Sequence, residues 1–138
     1  MILRSDIKKA SNDAKNWFIK EKNKGKKSII YKTAKSHIRN ENFTISYEDA
    51  FKRIDNIEFY YEDIIQNWGE TDGITLWLNT FKNWNYKLLK NLLIHEALHF
   101  IIRYQGRHFI TEKKEHNIME DINPNLIYFK KKIYFKTI

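Results

Sequence analysis

Apolar residues recur every three to four positions near the start of the chain. Ile7, Ala10, Ala14, Trp17 and Phe18 make one stripe, which predicts an amphipathic helix over residues 5 to 22 with Ser5 as its N-cap. Gly25 breaks that pattern, and residues 28 to 39 read as a second helix. "SYEDAFKRI", residues 46 to 54, predicts a third: Ser46 can cap it, Asp49 follows three positions on, and Tyr47, Phe51 and Ile54 share a face. The period then shortens to two. Ile57, Phe59 and Tyr61 alternate with Glu58, Tyr60 and Glu62, a strand pattern over 57 to 63. "NWGETDG" reads as a turn with Gly69 and Gly73, and "ITLWLNT", residues 74 to 80, as a second strand with Ile74, Leu76 and Leu78 on one side.

A long helix follows, expected over about 86 to 105 and stopped by Gly106, with Leu88, Leu89, Leu92, Leu93, Leu98, Ile101 and Ile102 as its apolar positions. Thr111 is a cap for another helix at about 112 to 122. Glu112 and Glu115 lie early in it, where the helix dipole favours acids, and Pro124 marks its end. The tail "LIYFKKKIYFKTI" is basic and prone to β-structure. No internal repeat and no domain boundary interrupts the pattern. We read one domain over 1–138: a helical part to residue 56, a core over 57–124, and a basic β-prone tail over 125–138.

The long helix carries the chemistry. His95 and His99 stand four apart, so one helical face can aim both imidazoles at one ion. Glu96 is turned about 100 degrees from them, badly placed as a ligand but able to reach a water on the ion. A metal lowers the pKa of such a water to about 7, and a carboxylate beside it can take the proton. That is the logic of H-E-x-x-H: two ligands and a general base. The bland alternative puts these three residues on an exposed stripe. The flanking "LLI" and "HFII" leave little room for a polar face, and unpaired imidazoles in an apolar helix are costly.

A tetrahedral catalytic zinc needs a third protein ligand. Four of the five histidines fall between 95 and 116. His108 lies too far from His99 for the H-E-x-x-H-x-x-G-x-x-H pattern. "EHNIMED" is the better source: His116 is favoured, then Glu115, then Glu120. With His116 as the ligand, Glu120 would serve as an acceptor that orients a ligand histidine.

Cysteine is absent, which removes disulfides, zinc ribbons and thiol catalysis, so any metal must be held by histidine and carboxylate. No signal peptide and no apolar run of membrane-spanning length is evident, so an intracellular protein is expected. The net charge of +8 favours anionic partners such as nucleic acid, although no motif that reads nucleic acid accompanies it.

Over residues 57 to 124, the order of strand, turn, "ITLWLNT", "LLKNLLIHEALHFI", loop and "EHNIMEDINP" resembles the zincin metallopeptidases. It is similar to small intracellular types: SprT-like proteases, minigluzincins and phage-encoded H-E-x-x-H proteins. The chain departs from SprT-like proteins in lacking a cysteine ribbon and their glycine–histidine ligand segment. Residues 1 to 56 carry no motif that resembles the family.

The resemblance implies a minimal α+β zincin-like domain. It has N-terminal helices, a small sheet, a long active-site helix and a following helix that supplies a ligand. It implies Zn2+ on His95, His99 and His116, with Glu96 as catalytic base acting on a protein or peptide substrate. "ITLWLNT" would be the edge strand above the cleft, pairing with an extended substrate. Tyr104 or His108 would stabilise the oxyanion. The rival expectation is a catalytically inert zincin-derived binding or structural protein, associated with nucleic acid through its basic surface.

Overall fold

The computed structural model describes residues 4–38, 43–63, 66–99, 101–104, 107–108 and 111–135. The architecture is mixed α+β. Helix α1 (Arg4–Lys24) buries Ala10, Ala14 and Phe18, the predicted stripe, against helices α3 (Tyr47–Asn56) and α4 (Tyr86–Leu98). Ser5 lies within α1 rather than at its cap. Helix α2 (Ile29–His37) is capped by Ser28, whose hydroxyl accepts from the Ile30 amide at 3.1 Å. The buried carboxylate of Glu21 braces that cap, accepting from Ser28 Oγ at 3.0 Å and from the Ile29 amide at 3.0 Å.

Ser46 precedes α3, but its side chain makes no capping bond. Its amide instead donates to the Ile101 carbonyl at 2.7 Å, tying α3 to the segment after α4.

Helix α4 begins where Asn85 accepts from the Leu88 amide at 2.9 Å. From Leu92 to Leu98 every residue is buried, because neighbours cover the helix all round. It ends at Leu98, not near residue 105. His99 has extended backbone angles (φ −60°, ψ 137°), and Ile102–Tyr104 forms strand β5, paired antiparallel with β1 (Phe43–Ile45). β-Branched Ile102 opposite Ile45 suits a ladder, and that tertiary pairing overrides the helical periodicity of the run. A short strand β6 (Arg107–His108) completes this sheet. The predicted helix stop, Gly106, lies outside the described residues.

The second sheet has four strands in the order β2 (Glu58–Glu62), β4 (Thr75–Asn79), β3 (Gly69–Thr71), β7 (Ile133–Phe135). The expected turn "NWGETDG" therefore contains a strand. Gly69 fits it because a side chain there would meet the Trp77 carbonyl oxygen at 2.7 Å. Leu76 and Leu78 of β4 are buried, but Ile74 precedes the strand and is 63% exposed.

β4 is not the edge strand expected above the cleft. It pairs in parallel with β2 and antiparallel with β3, so both its edges are used. The tail supplies an edge instead: among the described residues β7 pairs in parallel with β3 alone.

Helix α5 (Glu112–Ile122) starts at Thr111, whose hydroxyl accepts from the Lys114 amide at 3.2 Å. It packs on α2, where His37 contacts Asp121, and faces the C-terminal end of α4. Pro124 opens a single 3-10 turn, Pro124–Ile127, which lies against both α4 and α5. Among the described residues no helix is long and apolar enough to cross a membrane.

Candidate metal centre

Three elements converge on one point. The last turn of α4 brings His95 and Glu96, its C-cap brings His99, and the second turn of α5 brings His116. His95, Glu96 and His116 are buried, and the His99 side chain is only 12% exposed. One nitrogen from each of His95, His99 and His116 lies within 4.8 Å of the others, a group that could hold a metal ion. Although α4 ends at Leu98, the His99 amide still reaches the His95 carbonyl at 3.4 Å. That last bond keeps the two imidazoles on one face.

The partners of the rings fix which nitrogens are free. His95 Nδ1 lies 2.5 Å from the Leu126 carbonyl oxygen, which can only accept, so Nδ1 carries the proton. His99 Nδ1 donates in the same way to Glu115 Oε2 at 3.1 Å. With Nδ1 so engaged, each ring turns its Nε2 inward, and these two atoms stand 3.2 Å apart. Two lone pairs facing at that distance repel unless a proton or a cation lies between them. The third ring favours a cation: His116 Nε2 is buried with no hydrogen-bond partner, and one proton cannot serve three acceptors.

The spacing of the His95 and His99 nitrogens suits an ion. Two nitrogens on a tetrahedral ion with bonds of about 2.0–2.1 Å stand about 3.3 Å apart. Burial, reinforced by the nearby His99, pushes the His95 imidazole down to about 3. Burial and His99 also lower His116. These two rings are therefore neutral at physiological pH, the form that binds metal.

The carboxylates divide into distinct roles. Glu115, on the same turn of α5 as His116, orients His99 rather than joining the cluster of nitrogens. Glu120, expected as an alternative ligand or as the orienting acceptor, is exposed on α5 and takes neither place. Glu112 Oε1 stays 4.0 Å from His116 Nε2 on a side chain that is 78% exposed. Glu96 lies beside the cluster and accepts from Arg53 Nη2 at 3.2 Å.

Arg53 comes from α3, outside the stretch that carries the motif, and the sequence reading does not single it out. One signal was present: arginine is scarce in this lysine-rich chain, and arginine suits a fixed carboxylate pair better than lysine does. The side chains of Tyr104 and His108, the two oxyanion candidates, lie outside the described residues.

A cavity of about 520 Å3 opens over the three imidazoles and Glu96. Its far wall comes from Thr71 and Gly73 of the β3–β4 hairpin and from Phe129, Ile133 and Phe135 of the tail. Gly73 (φ 101°) holds a conformation other residues rarely adopt, which turns the hairpin at this wall. Comparison with known proteins finds no family model, no curated protein and no solved structure that matches the chain.

Proposed function

We infer that the protein is a zinc-dependent metallopeptidase. The observation that carries this reading is the convergence of one nitrogen from each of three imidazoles with a buried glutamate beside them, under one open cavity. Histidine donors without cysteine suit zinc, and three protein ligands leave the open position that a catalytic site needs. His95 and His99 would hold the ion through Nε2, with one ring nitrogen of His116 as the third ligand. When bound, the ion supplies Lewis acidity, polarising the scissile carbonyl and acidifying water.

The chain's own residues supply the rest. Leu126 and Glu115 hold the His95 and His99 rings in the ligating tautomer. Arg53 fixes the Glu96 carboxylate through a charge-assisted hydrogen bond. Glu96 takes the proton from the attacking water and returns it to the leaving amine nitrogen. The apolar wall of Phe129, Ile133 and Phe135 gives an extended peptide a surface to lie on. With β4 interior, the exposed edge nearest the site is β7.

The test is Glu96→Gln. It should retain zinc while cleavage of an unstructured protein such as casein falls by about a hundredfold or more, the lower range for a positioned general base. Equal cleavage by wild type and Glu96→Gln would refute the assignment of the base. No cleavage by either, together with steeply salt-dependent nucleic-acid binding, would favour the inert binding protein.

A further inference from the structure

A second cavity, of about 330 Å3, adjoins the first and shares three of its walls: Arg53, Gly73 and His99. Its remaining charged lining is Lys52, Asp49 and Arg103. Three side-chain cations therefore face one anion. That anion is already committed, because Arg103 of β5 donates to Asp49 of α3 through Nε at 2.5 Å and pairs with it again through its Nη2. Arg53 reaches Glu96 with one nitrogen, yet its Nε is buried without a hydrogen-bond partner. Lys52 has no ion pair among the described residues, so its charge is uncompensated. Asn56 adds a neutral amide to the same wall. A small, partly enclosed space with excess positive charge suits a carboxylate.

We propose that this cavity is an anion subsite of the substrate cleft, binding a carboxylate next to the scissile bond. The carboxylate comes from an acidic side chain or from the C-terminus of the peptide. The inference rests on the peptidase reading, because a chain crossing the metal centre beside His99 and Gly73 places a neighbouring residue in the second cavity. The cavity admits a side chain or a chain end but not a folded partner. Exposed Ile74 at its rim can contact the aliphatic part of that residue.

The test uses the zinc-loaded Glu96→Gln protein, which binds without cleaving, and two pairs of probes. One pair is a pentapeptide blocked at both ends with a central aspartate, and its asparagine counterpart. The other is an alanine tripeptide with a free C-terminal carboxylate, and its amide. In at least one pair the charged member should bind about tenfold tighter, and the pair that shows this identifies the source of the carboxylate. Adding Lys52→Gln should reduce the preference and Lys52→Glu should abolish it. Lys52 is exposed, so neither change threatens the fold.

Equal binding within both pairs overturns the subsite. So does a preference that survives Lys52→Glu, which would place the carboxylate on the metal. Cleavage by the wild type is measured separately. A charge preference lost in Lys52→Glu, in a protein that cleaves nothing, keeps the subsite and removes the peptidase. Cleavage without any charge preference does the reverse.

Discussion

Replacing Glu115 by alanine should weaken zinc binding without destroying it. Its Oε2 accepts from His99 Nδ1 at 3.1 Å, and the residue is 5% exposed. Water cannot easily take the place of the carboxylate. Without it, His99 loses the partner that fixes its ring orientation and raises the basicity of Nε2. Removing such an orienting group costs about 10–100-fold in metal affinity, or about 1.4–2.7 kcal/mol. A direct ligand carries a larger share, several kcal/mol of the roughly 10–16 kcal/mol typical of apparent structural zinc binding. Glu115→Gln should lose less than Glu115→Ala, because an amide oxygen still accepts the bond. Competition against a chromophoric chelator near neutral pH measures all three proteins on one scale. An affinity within twofold of wild type for Glu115→Ala would refute the orienting role. A loss of many thousandfold would make Glu115 a ligand in its own right.

Two further outcomes follow from buried groups. In the metal-free protein, the depressed His95 makes the unfolded chain bind more protons between about pH 3 and 6.5, so stability is present above 6.5 and lost as pH falls through that window. Urea unfolding in chelator should show a loss of roughly 2–3 kcal/mol between pH 6.5 and about 4.5, and a flat profile would contradict a buried neutral imidazole. Glu21→Ala should lower stability by about 1–3 kcal/mol, because it strands the buried Ser28 hydroxyl and the Ile29 amide at the start of α2. Thermal unfolding checks this, and an unchanged midpoint would mean that other groups brace that cap.

The site was more legible in the sequence than the frame around it. His95, Glu96 and His99 stand out because helical spacing and an apolar setting both mark them. His116 could be named because it is the one histidine of an apolar-backed helix. The roles of its neighbours were not readable. Glu115 and Glu120 differ only in which side of α5 they occupy, and that depends on how the helix docks against His99.

The end of α4 was misplaced because Leu98, Ile101 and Ile102 keep helical periodicity across a real break, and only the partner strand β1 decides between them. Three-residue strands such as β1 and β3 are too short for a period of two to show. β4 could not be recognised as interior, since its second neighbour, β3, lies within a stretch that reads as a turn. Arg53 was hard to select because its partner Glu96 is forty-three residues away.

The central claim, that His95, His99 and His116 together hold a catalytic metal, is tested most directly by the metal content of natively purified protein. Wild type should carry about one zinc per chain, and His116→Ala should lose it while remaining folded. A wild-type chain that carries no metal and takes up none when zinc is supplied, or a His116→Ala chain that keeps full zinc affinity, would contradict the account.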